Sequence, residues 1–446
     1  MKGSPMLKRT TAGLALGVAA VTALTLAPAH ADLAPQPDDV VTVGSDIQQN
    51  AFNFLADGYG ELPGYNSAGN KWRFVNFDSS GDGNGRSAWL DPSNLTSYTG
   101  SLDGDSTNEK YVKLSDASAA ALNPTATLQA GQNNVVRPSG GSGGLGALLV
   151  DGNGTSKPRD IDVARNPNLP TAANQTTASS NLATKVRTVQ IATDRDLIAT
   201  ATDTNVPDNL TAKQVLWIYT NAGSTASPKT WGDLKTWNTA NNASESLTLK
   251  SGSESEVILP LFIPSSAGMQ KVFLNALTAA NGGTAVTAAN ITATRIVQQN
   301  DPTTITGLSE AERKNALVPF PKGRYVLLGK GYYANPASAN SYSQQTTRSA
   351  LSTTGLTLQG LNGSAAGAWD WTFSYNAIFR DSDVSDTKAW QPGGKFNWVR
   401  TLFYNPADET NPDGVLPFVQ TEAGKQLLEA AGVTPAYEDK GYTTSG

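Results

Sequence analysis

Three short apolar strands in this sequence each lead into a glycine- or serine-containing loop that opens a helix. The loops are residues 44–46, 139–144 and 265–268. After the last loop, apolar side chains recur at helical spacing: Met269, Val272, Phe273, Ala276 and Leu277. Strands that alternate with helices indicate an α/β fold, in which the helices cover the faces of a sheet.

The three loops suit an anionic ligand. A helix start exposes unpaired backbone N–H groups and the positive end of the helix dipole, and both attract negative charge. Serine adds a hydrogen-bond donor without bulk, and glycine lets a ligand approach the backbone. Glycine and serine are also ordinary capping and turn residues, so one such loop indicates little. Three in matching contexts favour a shared oxyanion site, with local capping as the alternative.

The first 31 residues have the pattern of a secretory signal peptide. Lys2, Lys8 and Arg9 precede an apolar run, and residues 29–31 offer a cleavage site after Ala31. The apolar run is shorter than the roughly 20 residues that cross a bilayer, which argues against a membrane anchor. We predict an exported protein, extracellular or periplasmic. Because the chain has no cysteine, we also expect no lipid anchor.

Histidine and cysteine are missing from the chain beyond that segment. His30 is the only histidine, and there is no cysteine. Ser-His-Asp and Cys-His catalysis, and metal centres held by histidine or cysteine, are therefore excluded. A hydrolase would have to use a pair of carboxylates, and the sequence reveals no such pair. The formal charge of −5, without a basic stripe, argues against nucleic acid. We expect no enzyme activity, no cofactor and no metal.

The order of several segments carries a resemblance to a known family. VGSDIQQNAFNFLADGY near the mature start is followed by RPSGGSGGLGALL, DIDVARNP, NLTAKQVLWIYTNAGSTASPKTWGDL, ILPLFIPSSAGMQKVFLNAL and GVLPFVQTEAGKQLLEAAG. The chain resembles the solute-binding proteins of bacterial ABC importers, in particular the phosphate-binding family of type 2 periplasmic binding proteins and its secreted Gram-positive relatives. That resemblance implies a two-lobed α/β fold whose ligand cleft closes by hinge motion. It also implies a monomer that captures a small anion, phosphate first, with an ABC permease as a partner.

The resemblance also suggests how the chain is divided. The expected segments are a signal peptide (1–31), a leader (32–40), the first part of lobe 1 (41–185), lobe 2 (186–315), and a return to lobe 1 with the C-terminal helix (316–446). Residues 57–110, rich in Gly, Asn, Ser and Asp, are interpreted as irregular surface structure, and residues 166–183 as a Thr/Asn/Ala-rich insertion.

Carried over position by position, the resemblance places ten residues around the ligand. They are Ser45, Asp46 and Ile47 in the first loop, Gly141, Ser142 and Gly143 in the second, Arg165 after it, and Ser266, Ala267 and Gly268 in the third. The chain departs from the family at several of these positions. Ala267 and Met269 stand where the family commonly has hydroxyl donors, Gly141 where a serine is usual, and Ile263 where an arginine is usual.

Arg165 stands where phosphate binders usually carry an aspartate, so the polarity of the site is expected to be reversed. Arg165 would pair with the anion, and Asp46 would accept the proton of a hydrogen phosphate. Sulfate has no proton to give at neutral pH, so this arrangement predicts a preference for phosphate. The alternatives are a salt bridge from Arg165 to Asp160 or Asp162, and a helix N-cap role for Asp46.

One weaker pattern resembles a calcium loop. Asp78, Ser80, Asp82 and Asn84 copy its first half, but Trp89 replaces the glutamate that completes such a loop. A glycine- and aspartate-rich turn is therefore favoured over a calcium site.

An aromatic alternation leaves two readings. Trp369, Trp371 and Phe373 fall on one face of a predicted strand, which we interpret as a core or interlobe face, with a sugar-binding platform as the alternative. For the whole chain, the rival to solute binding is a surface or matrix protein that kept the fold and lost phosphate binding.

Overall fold

The structure of the chain is a computed structural model. It describes residues 36–68, 72–77, 79, 95–97, 110–112, 125–132, 134–136, 138, 140–152, 159–265, 267–293, 295–297, 299–332, 351–363, 367–385, 397–406 and 414–445. The predicted signal peptide lies outside these residues, and so do Asp78, Ser80, Asp82, Asn84 and Trp89 of the calcium-loop pattern. Among the helices described, none combines the length and the apolar character needed to span a bilayer.

Sixteen strands are described. They are β1 (Val40–Gly44), β2 (Gly58–Tyr59), β3 (Leu62–Pro63), β4 (Phe74–Asn76), β5 (Leu95–Ser97), β6 (Lys110–Val112), β7 (Thr125–Thr127), β8 (Asn134–Val136), β9 (Val163–Asn166), β10 (Val186–Ala201), β11 (Leu259–Phe262), β12 (Arg295–Ile296), β13 (Ala316–Pro321), β14 (Leu356–Leu358), β15 (Trp371–Arg380) and β16 (Thr434–Gly441). Ten of them form one sheet in the order β12-β11-β13-β10-β15-β9-β1-β4, with β14 and β16 also paired to β10. The pairs β2-β3, β5-β6 and β7-β8 stand apart from it.

Twelve α-helices are described. They are α1 (Gln49–Asp57), α2 (Gly140–Val150), α3 (Ala172–Leu182), α4 (Ala212–Asn221), α5 (Trp231–Asn241), α6 (Gly268–Ala280), α7 (Thr303–Thr306), α8 (Glu310–Arg313), α9 (Lys322–Gly329), α10 (Ser382–Ser385), α11 (Asn397–Leu402) and α12 (Glu422–Ala430). Short 3₁₀ helices cover Tyr65–Ala68, Ala288–Asn290 and Phe418–Gln420. The mixed order of strands and helices confirms the α/β prediction.

The large sheet has two parallel ends and an antiparallel middle. At one end β1 runs parallel to β4 and β9, and at the other β11 runs parallel to β12 and β13. The long strands β10 and β15 lie between them and pair antiparallel with each other, with β13 and with β9. We call β1, β4 and β9 with α1–α3 the first half, and β11–β13 with α4–α6 the second half.

Strand β1 shows why both faces of the sheet need helices. Val40 belongs to the large hydrophobic cluster on the α1 side, while Val41 and Val43 belong to a second cluster with Leu145 and Leu148 of α2. Alternate residues of a strand point to opposite faces, so a β-branched run of this kind is buried on both sides. Each fully buried Val or Leu side chain contributes about 1.5–3 kcal/mol.

Several elements predicted from the sequence are present. The alternation of apolar and polar residues over 188–202 predicts a strand, and most of it lies in β10; the apolar stripe after the third loop forms the buried face of α6. The sequence offers Asn209 or Thr211 as the cap of the next helix, and α4 uses Thr211. The sequence also predicts a helix end at Gly432, and α12 ends beside this residue, whose φ of +84° is typical of a helix-terminating glycine. The aromatic alternation is a core face, because Trp369 and Phe373 are both buried. The interpretation as a core or interlobe face is therefore confirmed over a sugar-binding platform.

Residues 166–183, the stretch interpreted as an insertion, have regular structure. Most of this stretch forms helix α3, which packs against α2. Its start is fixed by a reciprocal cap: Thr171 Oγ1 accepts from the Asn174 amide at 3.1 Å, and Asn174 Oδ1 accepts from the Thr171 amide at 2.9 Å. The many Thr, Asn and Ser residues have low helix propensity, so the sequence did not indicate a helix here. The cap and the packing against α2 outweigh that low propensity.

Candidate ligand site at the helix starts

The first two predicted loops touch each other. Gly44 ends β1 with a φ of +119°, and Gly144 lies in the second turn of α2. A Cβ added to Gly144 would lie 2.4 Å from the Gly44 Cα, which is closer than any real contact. The start of α2 therefore rests directly on the end of β1, and only glycine allows this approach.

Residues 166–168 connect the second loop to the third. A Cβ on Gly141 would lie 2.4 Å from Asn166 Oδ1, and one on Gly268 would lie 2.9 Å from Pro167 Cγ. Asn168 Nδ2 also donates to Gly268 O at 3.1 Å. The starts of α2 and α6, far apart in the sequence, thus meet around residues 166–168. The first loop, which leads into α1, reaches this place through the contact of Gly44 with Gly144.

Helices α1 and α6 begin without a side-chain cap among the residues described. The N-cap of α1 is Gln48 and that of α6 is Ala267, and neither accepts a hydrogen bond from its own first turn. By contrast, Thr171, Thr211, Thr230 and Thr421 cap α3, α4, α5 and α12 with their hydroxyls. An uncapped start leaves backbone N–H groups that only water, a ligand or another segment can satisfy.

Ser45 has a buried hydroxyl at this junction. Its side chain is 1% exposed, and its Oγ finds no hydrogen-bond partner in the described chain. Its amide donates to Arg165 O at 3.1 Å, which ties the first loop to β9. A buried hydroxyl without a partner costs about 1–3 kcal/mol, so its retention at the start of a helix points to a role beyond packing.

Asp46 reaches across to the second half. It is 5% exposed, and its Oδ2 accepts from Asn300 Nδ2 at 2.8 Å and from Gln299 Nε2 at 3.2 Å. Arg324 Nε holds the same segment by donating to Asn300 O at 2.8 Å. The carboxylate therefore links α1 to the segment before α7. The formal N-cap of α1 is Gln48, and the Asp46 carbonyl oxygen accepts from the Gln49 amide at 3.3 Å in the turn that leads into the helix.

Arg165 lies beneath the first loop, fully buried. Its guanidinium donates to the side-chain oxygen of Asn76 and to four main-chain oxygens, those of Phe77 (2.9 Å), Ser45 (3.1 Å), Gly44 (3.2 Å) and Thr42 (3.4 Å). These bonds fix the shape of the loop. The expectation that this guanidinium faces an anion is therefore corrected: it supports the loop from inside. Of the two acids considered as its partners, Asp162 is bound by Arg159 at 2.7 Å.

The remaining predicted residues fall into three groups. Ile47 and Ala267 are buried and pack in the core, and the Ile47 carbonyl oxygen accepts from the Tyr375 hydroxyl at 2.8 Å. Ser142 and Gly143 are exposed on the first turn of α2. Ser266 lies outside the described residues.

Sequence reasoning missed Tyr375 and Asp194, which meet where β10 and β15 pass the site. Asp194 on β10 accepts from the Gly323 amide at the start of α9, at 3.0 Å to Oδ1, and the Tyr375 hydroxyl lies 3.1 Å from its Oδ2. Burial raises the pKa of Asp194 to about 6, although hydrogen bonds from the Arg195 and Gly323 amides oppose the shift. The only signal available in the sequence was an acidic residue inside an apolar strand.

Asp196, two residues along β10, is fully buried, and neither carboxyl oxygen has a hydrogen-bond partner within the described part of the chain. Burial, and then the charge of Asp194, raise its pKa well above the usual range. Desolvation without a compensating cation favours the neutral acid. The middle of strand β10 therefore carries two carboxyl groups that both resist ionisation.

Sequence comparisons identify no relative. No family model matches the chain, and no curated protein matches it. The fold is therefore compared with solved structures alone.

Solved structures similar to this chain belong to the family that the sequence resembles. One from Clostridium perfringens, assigned as a phosphate ABC transporter substrate-binding protein with bound phosphate, is 9% identical with a TM-score of 0.43, over 89% of this chain and 99% of that one. An ABC-type phosphate transport receptor from Vibrio cholerae is 11% identical with a TM-score of 0.40, over 89% and 100%. PstS from Borrelia burgdorferi is 10% identical with a TM-score of 0.38, over 89% and 98%. At these values the likeness carries no argument about function.

Proposed function

We propose that this chain is a secreted solute-binding protein that captures a small oxyanion, inorganic phosphate first, for uptake or scavenging. The observation that carries the proposal is that the starts of α2 and α6 meet around residues 166–168, while the first loop, which leads into α1, rests on α2. Of these helices, α1 and α6 have no side-chain cap among the residues described. Helix starts hold anions through neutral N–H donors and the helix dipole, so an acidic protein can bind an anion there without a cluster of cationic side chains.

Two side chains of the first loop support this choice of ligand. The buried hydroxyl of Ser45 can donate to an anion oxygen, which would satisfy a group that otherwise has no partner. Asp46 can accept the proton of a hydrogen phosphate, and it would repel a fully ionised sulfate. Arg165 contributes by holding the loop in place rather than by touching the ligand.

We further propose that the two halves act as lobes. The first lobe would comprise residues 41–185 and 316–446, the second would comprise residues 186–315, and β10 and β15 would bend as the lobes close on a ligand. The contacts from Asp46 to Asn300 and from Asn168 to Gly268 are those expected of the closed arrangement. The protein would work outside the cell or in a periplasm as a monomer, with an ABC permease as its partner.

A thermal-unfolding titration tests the proposal. Residues 32–446 are unfolded, refolded to remove any bound ligand, and titrated with phosphate, arsenate, sulfate and a set of sugars. A ligand at 1,000 times its Kd adds about 4 kcal/mol of stability. We expect a clear rise in Tm with phosphate and arsenate but not with sulfate. No rise with any anion overturns the proposal.

A single substitution connects the result to the site. Ser45→Ala removes the unpartnered hydroxyl, so it should shrink the phosphate-induced rise in Tm while leaving the Tm without ligand unchanged or higher. Ser180→Ala, on the exposed face of α3, is the matched control and should change neither value. Equal phosphate shifts in Ser45→Ala and wild type would place the ligand elsewhere.

One observation favours the rival function, a surface or matrix protein that retains the fold without the ligand. The Pro167 ring lies between the second and third loops, 3.0 Å from a Cβ placed on Gly141 and 2.9 Å from one placed on Gly268. In that reading the starts of α2 and α6 are held together by protein rather than by an anion. The same titration separates the two functions.

A further inference from the structure

The segment 434–445, which we call the strap, adds a third strand to the hinge. Its first part, β16, pairs antiparallel with β10, with Thr434 opposite Thr193 and Asp439 opposite Val189. Over residues 188–193, β10 is therefore paired on both edges, by β15 and by β16. A strand paired on both edges is harder to bend than one paired on a single edge, because bending then strains two ladders of hydrogen bonds.

Side chains of β10 hold the strap in register. Gln190 Nε2 donates to Ala436 O at 2.9 Å, and Arg187 Nη1 donates to Asp439 Oδ2 at 2.6 Å. The Arg187 guanidinium also lies 5.2 Å from the centre of the Tyr442 ring, a cation–π distance. The strap is thus attached along its length and not only by backbone pairing.

Beyond β16 the strap bonds to both halves of the fold. The Ser445 amide donates to Pro170 O at 2.9 Å, and its hydroxyl lies 3.1 Å from Leu169 O, both in the first half. Lys271 Nζ, on the first turn of α6 in the second half, donates to the same hydroxyl at 3.1 Å. Ser445 therefore bonds to both halves of the fold. Its partner Leu169 directly follows Asn168, the residue that contacts Gly268.

We propose that the strap is a latch that holds the two halves together beside the candidate ligand site. The bonds of Ser445 are few, and its side chain and that of Lys271 are only half-buried. Such bonds are easily exchanged for water, so the tip can release while β16 stays paired. Release of the tip would free the halves to separate about β10 and β15. The consequence for ligand entry and exit rests on the proposed function, whereas the mechanical coupling does not.

Because the chain has no cysteine, the distance between the two halves can be measured with spin labels on two introduced cysteines. Ser180→Cys on α3 and Ala279→Cys on α6 introduce two exposed labelling positions, one in each half, and no native thiol competes. Pulsed electron spin resonance then gives the distribution of distances between the two spin labels without any ligand. The distribution is compared in the full chain, in a chain that ends at Gly441, and in Ser445→Ala. Thr443→Ala, an exposed neighbour in the strap, is the control.

We expect one narrow distance population in the full chain and in Thr443→Ala. The shortened chain and Ser445→Ala should both add a population at longer distance, with the larger share in the shortened chain. An unchanged distribution in Ser445→Ala and in the shortened chain overturns the latch; if the shortened chain does not fold, Ser445→Ala alone decides. The phosphate titration gives an independent result. If the variants show the longer-distance population but phosphate does not raise Tm, the latch is supported and the proposed ligand is not. If phosphate raises Tm but the distances do not change, the latch alone is overturned.

Discussion

Two groups of helix starts in this protein differ in how they are capped. Helices α3, α4, α5 and α12 begin with a threonine whose hydroxyl caps the first turn, whereas α1 and α6 begin at Gln48 and Ala267 without such a cap. The capped starts are completed locally. The uncapped ones lie where the two halves of the fold meet, where their N–H groups can serve something other than their own helix.

The start of helix α9 is completed in a third way, by a side chain from another element. Its start has no cap from its own first turn in the described chain, but the carboxyl group of Asp194 on β10 accepts from the Gly323 amide. Asp194 thus supplies the acceptor oxygens that a bound oxyanion would otherwise offer to this helix start. Helices α1 and α6 have the same need, and we propose that a solute meets it.

The largest expected effect concerns Arg165, which determines the shape of the first uncapped start. Arg165→Met deprives four main-chain carbonyls of a donor inside the protein, and we expect the free energy of unfolding to fall by about 4 kcal/mol. Urea denaturation without ligand measures it. Arg313→Met, at an exposed ion pair, should cost less than about 1 kcal/mol. A loss at Arg165 as small as that at Arg313 would mean that the guanidinium is not needed to hold the loop.

The contact between the first two loops comes next. Gly144→Ala forces a methyl group against the backbone at Gly44, which cannot move aside, so we expect a loss of about 3 kcal/mol. Gly146→Ala is the matched control in the same helix, since no described atom lies within 4 Å of its Cβ position. It should gain up to about 1 kcal/mol from helix propensity. Equal effects at the two glycines, measured by urea denaturation, would contradict the close approach of α2 to β1.

The buried carboxyl group of Asp194 at α9 predicts a pH dependence of stability. Folding raises the pKa of Asp194 from 3.8 to about 6, so between these values the folded chain binds more protons than the unfolded one. Stability from this group is complete below pH 4 and is lost as the pH rises towards 6 and beyond, by about 3 kcal/mol. Asp194→Asn should remove that loss. Urea midpoints of wild type and variant from pH 4 to 8 should diverge, and parallel curves would show that the carboxyl group is not held neutral.

The smallest effects test the caps themselves. Thr211→Ala should cost about 1 kcal/mol through the lost cap of α4 and leave the phosphate-induced rise in Tm unchanged. Ala267→Ser offers α6 a cap of its own, so it should leave stability equal or slightly higher and reduce the phosphate response. If Thr211→Ala and Ala267→Ser change the phosphate-induced rise in Tm equally, the uncapped start of α6 has no special role in binding phosphate.

Local signals in the sequence predicted much of the fold. The alternation in β10, the apolar stripe of α6 and the Thr211 cap of α4 each lie within a few residues, and the structure contains all three. Helix α3 was missed because its reciprocal Thr–Asn cap and its packing on α2 outweigh a poor helix-forming composition.

The site was predictable in position but not in detail. The Gly and Ser loops revealed which helix starts would meet. The partners of Asp46 lie more than 250 residues away, and the orientation of Arg165 depends on carbonyls more than 80 residues away. No local pattern specifies such contacts, since they arise only when the strands are ordered in the sheet. The strap at Ser445 was missed for the same reason.

Nuclear magnetic resonance of the backbone amides tests most directly the central claim that phosphate binds at the uncapped starts of α1 and α6. Phosphate is added to isotope-labelled protein, and the shifts of amides in the first turns of α1 and α6, Gln49–Asn50 and Gly268–Met269, are compared with those in the first turn of α4, Ala212–Gln214. Our account predicts that phosphate, but not sulfate, moves the amides of α1 and α6 and leaves those of α4 in place. Unmoved resonances at α1 and α6, at phosphate concentrations that saturate any other response, would contradict it.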